Sequence, residues 1–431
     1  MPPVIVTIFD TLLQSLSVAF HAPSAINFQT LVYGLVLCLG RPTITNLWRA
    51  SSQRTTKHPC ALHRFFSRAV WSPERLSELL LTKILIPYLV PTGTLHVAGD
   101  DTTCGKSGRW VAYASWFRDA VASTGGQTVK HWAHNWLILC LIVRCPWAKN
   151  RLWHIPFMAR LYRAEKDCRG QRRFRTRQQI MNEMVGKVRQ WVGERRIELG
   201  ADGAYATHEM VKGLAPGVVL ISRVRRDAAL YEVAPPPTGK RGRPREKGAR
   251  LAKLPQISER AQFEHRRVRR YGREEEVLLY SFVCLWWAVS KRPIQVVIVR
   301  DPVGKEKDDY FFTTDVEMSV VAVVEEYAGR WGAEEAIREM KQSVGLDEVQ
   351  GWSARAVLRQ VPVVVVVHAL VQVAYWQSQE VHERKELVSF GQMLTQLRLA
   401  VWSERIKESL AKPQSVEKIE ELFEEALRTA A

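Results

Sequence analysis

Paired cysteines, acidic side chains and long hydrophobic runs are what this chain of 431 residues is short of. Its seven cysteines are odd in number, scattered, and never spaced C-x-x-C. That pattern argues against a disulfide framework and against a zinc module, so a reducing, cytoplasmic setting is expected. The apolar runs LVYGLVLCLG and VPVVVVVHALVQVAYW fall short of the roughly 20 residues that a bilayer crossing needs, and are expected to be buried helices with no membrane role. The start, MPPVIVTIFDTLLQSLSVAF, is apolar but has no basic leading region and contains Asp10, which argues against a signal peptide. Asp and Glu number 44 against 62 Lys and Arg, giving a formal net charge of +18 and a pI near 9.8. A polyanion is therefore the expected partner. The cations are spread along the chain rather than gathered beside an apolar anchor, which favours nucleic acid over a membrane surface. The run GKSG that follows DDTTC lacks the first glycine of a phosphate-binding loop, so ATP binding of that kind is not indicated.

What is present suits a folded protein of two or three domains, with 46% hydrophobic and 25% charged residues. Residues 1 to 92 carry apolar positions at helical spacing in FDTLLQSLSVAF, NFQTLVYGLVLCLG, ALHRFFSRAV and SPERLSELLLTKIL. Ser72 before Pro73 and Glu74 is a fitting N-terminal cap for the last of these. The stretch ITNLWRASSQRTTKHPCALHRFF mixes cations, hydroxyls and aromatics, as a surface docking on a phosphate backbone would, and as a polar inter-helix loop also would.

Beyond Pro91 strands begin, in the order GTLHVAGDD, HWAHNWLILCLIVRC and RLWHIPFMARLYR, the last with a bend at Pro156. A basic helix, TRQQIMNEMVGKVRQWVGERR, precedes the strand IELGADG, a short helix THEMVKGL and the strand GVVLISRV. Composition and pattern alone give an α/β protein. Asp100 and Asp101 stand at the end of the first strand and Asp202 just past a later one, where Gly203 allows a tight turn. Alternation puts Asp101 on the face of Leu95, Val97 and Gly99, and Asp100 on the opposite face. His96, His131, His134 and His154 read as core or surface residues, because HWAH has no partner cluster for zinc.

From 224 to 310 the chain turns proline-rich and basic (APPPTGKRGRPREKGARLAK) and then strand-like (EEEVLLYSFVCLWWAV, RPIQVVIVRDP). Arg241 and Arg243 lie in RGRP, which has the form of a minor-groove-reading core and would also serve for unspecific phosphate contact. The adjacent Trp286 and Trp287 read as core. Finally YAGRWGAEEAIREMK is expected to form one unbroken helix. At about 100° per residue, Tyr327, Arg330, Glu334 and Lys341 fall at roughly 0°, −60°, −20° and −40°, on one stripe. One carboxylate, one phenol and two cations suit a metal-bound acid among phosphate-binding groups. They also suit a solvated amphipathic face.

Taken together, DDTT, ADGAY and the helix reading Tyr, two residues, Arg, three residues, Glu, six residues, Lys resemble the DDE transposases of the IS4-like and IS701-like insertion-sequence group. The resemblance spans roughly residues 30 to 375. It implies an α/β fold with an RNase H-like catalytic core and a β-rich insertion, plus an N-terminal helical domain and C-terminal helices. The boundaries would be 1–92 (DNA-binding), 93–223 (first part of the core), 224–310 (insertion), 311–375 (catalytic helix) and 376–431. It further implies that Asp100, Asp202 and Glu334 hold Mg²⁺, or Mn²⁺ in its place. Tyr327, Arg330 and Lys341 would contact DNA. The D-x-T habit of the family favours Asp100, although Asp101 before Thr103 fits it too. The implied partners are transposon terminal repeats, target DNA and a second copy of the chain in a synaptic complex, in a bacterial, nucleoid-associated setting. Two other readings stay open: another RNase H-fold nuclease such as a resolvase, and a non-catalytic DNA-binding protein derived from a transposase.

Overall fold

The computed structural model describes residues 4–52, 55–119, 122–145, 151–168, 174–236, 245–348, 351–379, 388–410, 420 and 424. Arg241 and Arg243 lie outside the described residues, as does most of the acidic C-terminal segment SVEKIEELFEEALRTA.

The N-terminal region is helical as its periodicity predicts. It comprises α1 (Val4–Leu16), α2 (Ala22–Leu37), α3 (Ile44–Ala50), α4 (Pro59–Ser67) and α5 (Pro73–Leu79). The last continues through a π-helical turn (Leu80–Leu85) into α6 (Ile86–Leu89). Ser72 caps α5, its Oγ accepting from the Arg75 amide at 3.3 Å. The polar stretch before α4 holds a further helix, α3, because the Thr43 hydroxyl accepts from the Asn46 amide and starts it.

A sheet of ten strands follows: β1 (Leu95–Gly105), β2 (Ser115–Arg118), β3 (Lys130–Arg144), β4 (Leu152–Tyr162), β5 (Ile197–Ala201), β6 (Val218–Arg223), β7 (Glu264–Arg270), β8 (Arg273–Cys284), β9 (Ile294–Arg300) and β10 (Asp309–Thr313). Its core runs β4-β3-β1-β5-β6, with β5 parallel to β1 and to β6, and β3 antiparallel to β1 and β4 and, further along, to β2. With α7 (Arg177–Val192) between β4 and β5, and α8 (His208–Lys212) between β5 and β6, this is the RNase H-like arrangement. The central strand β3 is buried along nearly its whole length, which is why it reads as a continuous apolar run rather than an alternating one. Where Pro156 cannot donate to the ladder, the β3–β4 register shifts between Leu139 and Cys140.

The β-rich segment does not stand apart as a separate sheet. β10 pairs antiparallel with β6 and with β9, so β7 to β10 extend the core sheet at one edge. Trp286 is core, edge-on to Phe312 at 5.4 Å, while Trp287 is half-buried under Lys291.

The last elements are α10 (Val320–Gly329), α11 (Gly332–Ser343), α12 (Ala354–Ser378) and α13 (Phe390–Leu410), preceded by the short α9 (Leu254–Arg260). With 25 residues, α12 is long and apolar enough to cross a membrane by length and composition. Here it is buried among α1, α2, α4, α5 and β4. Arg359 ties it to the N-terminal helices by donating to the carbonyls of Ala69 at 2.6 Å and Trp71 at 2.8 Å. Apolar side chains from α1, α2, the sheet and α12 form one continuous core.

Candidate active site

The unbroken helix predicted over Tyr327–Lys341 is in fact two. α10 ends at Gly329, α11 begins at Gly332, and Arg330 and Trp331 between them keep helical dihedrals but bond differently. The amides of Trp331, Ala333 and Glu334 reach back only three residues, to Ala328, Arg330 and Trp331, as in a 3₁₀ turn. The cause is His154 on β4, whose Nε2 lies 2.6 Å from the Gly329 carbonyl oxygen. That carbonyl is one an α-helix would offer to Ala333. Burial holds the His154 ring well below its usual pKa, at about 4 despite the Gly329 carbonyl, so the ring is neutral and Nε2–H is the donor. Gly332 is required as well, because a Cβ there would overlap the same imidazole. A side chain inserted into the ladder is a recognised cause of helix breaks. The sequence reading, core or surface, leaves the choice open; His154 is buried, and its part in the helix break is not legible there.

The break determines where the polar residues point. Arg330, only 8% exposed, extends one guanidinium nitrogen to Asp100 Oδ2 at 3.4 Å and the other to Glu334 Oε1 at 3.0 Å. Asp100 and Glu334 are therefore neighbours across one guanidinium. The first strand runs on past the aspartate pair to Gly105, so Asp100 lies mid-strand and not at its end. Asp202 follows Ala201, the last residue of β5, which is paired in parallel with Gly99, so the two aspartates leave neighbouring strands at the same level. The helix end packs closely on β5 at Gly200, where a Cβ would be in van der Waals contact, 3.4 Å, with the Arg330 Cβ and the Glu326 carbonyl oxygen. The two aspartates of the DD pair separate as alternation predicts. Asp101 lies on the other face, accepting from Asn135 Nδ2 at 2.7 Å and the Tyr205 hydroxyl at 3.1 Å, with Arg177 of α7 at 3.6 Å.

Electrostatics sharpen this picture. Burial raises the Asp100 carboxyl to about 7 against the lowering effect of Arg330, with Asp101 and Glu334 adding to the rise. Burial also opposes the Arg330 charge, but Asp100, Tyr327 and Glu334 around it raise its pKa on balance. Tyr327 is buried against Phe311 at 4.4 Å, and its phenol is pushed up to about 12, chiefly by burial, with Asp202 adding and Arg330 and Arg223 opposing. Lys341, the fourth residue of the stripe, points elsewhere: its Nζ donates to the Thr103 carbonyl at 2.8 Å and pairs with Asp347 at 3.4 Å.

A divalent cation fits this donor set in kind. Asp100, Asp202 and Glu334 offer hard carboxylate oxygens, and a buried carboxylate with a raised pKa is one that a cation would stabilise. The three carboxylates are nonetheless not drawn tightly together, since the Arg330 guanidinium stands between two of them. Among the described residues, the group whose ligand atoms all lie within 4.8 Å of one another is His96, Glu198 and Glu326. It lies on β1, β5 and α10, the two strands that carry the aspartates and the helix that precedes α11. His96 Nδ1 is 2.9 Å from Glu326 and 3.3 Å from Glu198. Burial opposes protonation of His96, but the two carboxylates outweigh it and raise the imidazole to about 9. Arg196 joins through Glu198 at 2.8 Å. We read this group as an ion-pair network bracing α10 against the sheet.

The family model described as DDE superfamily endonuclease matches residues 12–280, more than half of the chain, and ends before α10. No curated protein matches the sequence. A solved structure of the piggyBac transposase synaptic complex with hairpin DNA aligns with 99% of this chain and 83% of that one, at 11% identity and a TM-score of 0.42.

Proposed function

We propose that this protein, which belongs to the DDE superfamily endonucleases, is a DNA transposase of the IS4-like and IS701-like kind. In this reading it binds the ends of a mobile element, cleaves DNA strands there and joins the 3′ ends to target DNA. The observation that carries the reading is the convergence around Arg330. Asp100 from β1 and Glu334 from α11 meet on one guanidinium, and Asp202 leaves the adjoining strand beside them. Asp100, Asp202 and Glu334 would hold the divalent metal, Mg²⁺ or Mn²⁺. When bound, such ions activate the attacking hydroxyl and stabilise the leaving 3′ oxygen.

The chain's own groups supply the rest. Arg330 offsets the charge of the carboxylates and is near enough to the site to meet a phosphate oxygen. Tyr327, kept protonated well above neutral pH, remains a hydrogen-bond donor. Lys341 holds the strand that follows Asp100 in place through the Thr103 carbonyl, and adds a cation beside the DNA path. Asp101 acts by orienting that strand from behind, through Asn135, Tyr205 and Arg177. Arg241 and Arg243 would add phosphate contacts, and bringing two DNA ends together would call for two copies of the chain.

Glu334→Gln is the direct test, since the glutamate is half-exposed and the change preserves its shape. Metal-dependent strand cleavage should vanish while the affinity for terminal-repeat DNA stays within about twofold, because phosphate contacts dominate binding. Unchanged cleavage per bound complex would remove Glu334 from the site. Cleavage without any joined product would instead favour a nuclease of the resolvase type.

A further inference from the structure

Large aromatic side chains are seldom left in water without a partner, yet three tryptophans are exposed together beyond the far end of β1. Trp110 is 81% exposed, Trp352 70% and Trp116 64%. Several contacts tie the segments that carry them to one another. Trp116 lies opposite Trp132 across the β2–β3 pair, with ring centroids 5.8 Å apart. The Trp132 indole donates to the Gly108 carbonyl at 3.1 Å, two residues from Trp110. The Ala112 amide donates to the Trp352 carbonyl at 2.9 Å. Cations are set among the rings: Arg109 stands 5.5 Å from the Trp110 ring, Lys166 stands 5.0 Å from that of Trp132, and Arg118 and Lys130 are exposed on β2 and β3. Acids are present too: Asp119, which faces His131, Glu165 and Asp167 on either side of Lys166, and Asp347, whose carbonyl accepts from Lys106.

We infer that this tryptophan surface is a stacking platform for unpaired bases of a nucleic-acid strand whose phosphates run over Arg109, Arg118 and Lys130. Every base presents a π-face, and an aromatic row interleaved with cations matches a single strand, which exposes both faces and phosphates at once. A duplex hides its base faces and would meet the cations alone. The net charge of +18 and the cations beside the rings favour a polyanion over a protein partner on this surface. The inference rests on the function proposed above and extends it. Gly105, which is paired with Ala133 at the base of the platform, lies five residues along β1 from Asp100, about 17 Å at the usual rise. That is about five nucleotide steps at 3.4 Å each, so the platform would hold strand flanking the cleavage position.

The test uses the full-length protein and two labelled probes, an oligothymidine of roughly a dozen nucleotides, within the usual site size of such surfaces, and a blunt duplex of equal length, followed by fluorescence anisotropy. Trp110→Ala, Trp116→Ala and Trp352→Ala should each keep the wild-type melting temperature, since the rings are exposed. Each that stacks a base should weaken single-strand binding about tenfold, with duplex binding changed less than about twofold, and the corresponding Phe variants should recover most of the loss. Unchanged single-strand affinity would overturn the inference. So would an equal loss for both probes, or an effect confined to the elution volume, which would mark the surface as a contact between copies. Wild-type protein that binds neither probe would overturn the functional reading itself. Wild-type protein that binds and cleaves while the Trp variants behave identically would overturn the platform alone.

Discussion

Replacing Gly332 by alanine tests whether His154 is what breaks the helix. In the wild-type background the new methyl would lie closer to the imidazole than the 3.0 Å that side-chain carbons keep, and the ring is itself buried. Overpacking costs about 1–3 kcal/mol and an overlap this close belongs in the upper half of that range, about 2–3 kcal/mol, against a gain of about 1 kcal/mol from replacing glycine by alanine in a helix, so a net loss of about 1–2 kcal/mol is expected. His154→Ala should be worse alone, at about 2–4 kcal/mol, because it empties a buried site and leaves the Gly329 carbonyl without its donor. In the double variant the clash is gone and alanine favours a continuous helix, so adding Gly332→Ala to His154→Ala should be neutral or stabilising. The coupling between the two sites is then about 1–3 kcal/mol in favour of the pair. Urea denaturation of the four proteins, followed by tryptophan fluorescence, measures it. Cleavage per bound complex should stay low in the double variant even where stability returns, because a continuous helix would turn Arg330 and Glu334 away from Asp100. Additive losses, within about 0.5 kcal/mol, would refute the wedge, and full activity in the double variant would refute its part in aiming the site.

Other expectations follow from the same geometry. Asp100→Ala should leave stability nearly unchanged and abolish cleavage, whereas Asp101→Ala should cost about 2–3 kcal/mol by stranding Asn135 and Tyr205; the reverse pair of phenotypes would exchange their roles. Arg330→Lys keeps the charge but cannot fork between Asp100 and Glu334, so cleavage per bound complex should fall about tenfold or more; a near-wild-type rate would show that the fork is not needed. The His96 network predicts a pH dependence of stability. With a folded pKa of about 9 against an ordinary 6.5, the stabilisation is complete below about 6.5 and lost as pH rises through about 9. Because the side chain is 37% exposed, screening limits it to about 1–2 kcal/mol. His96→Gln, still beside Glu198, Glu326 and Arg196, should flatten that decline in denaturation curves taken between pH 6 and 10, and an unchanged slope would exclude the network as its source.

What the sequence made legible was whatever depends on short-range alternation. Period two along Leu95, Val97 and Gly99 was enough to assign Asp100 and Asp101 to opposite faces, and β1 keeps that assignment, with Asp100 toward Arg330 and Asp101 toward Arg177. The same rule could have found the ion-pair network, since His96 and Glu198 each stand four residues before an aspartate and therefore share its face. The helix break was harder. Its local trace is GRWG, two glycines three apart in an otherwise helical run, which lowers confidence in a helix without saying where it would part. The cause is His154, 175 residues away from Gly329 in sequence, and no propensity scale contains it. Equally, nothing local announces that β10 will pair with β6, because that antiparallel register joins residues about 90 positions apart. This difference bears on the site itself. The carboxylates of β1 and β5 are positioned by strand register, which sequence pattern captures, but Glu334 and Arg330 are positioned by a tertiary contact made behind them. A helix that carried the same residues in the same spacing, without a histidine on β4 to part it, would present the same motif and a different geometry.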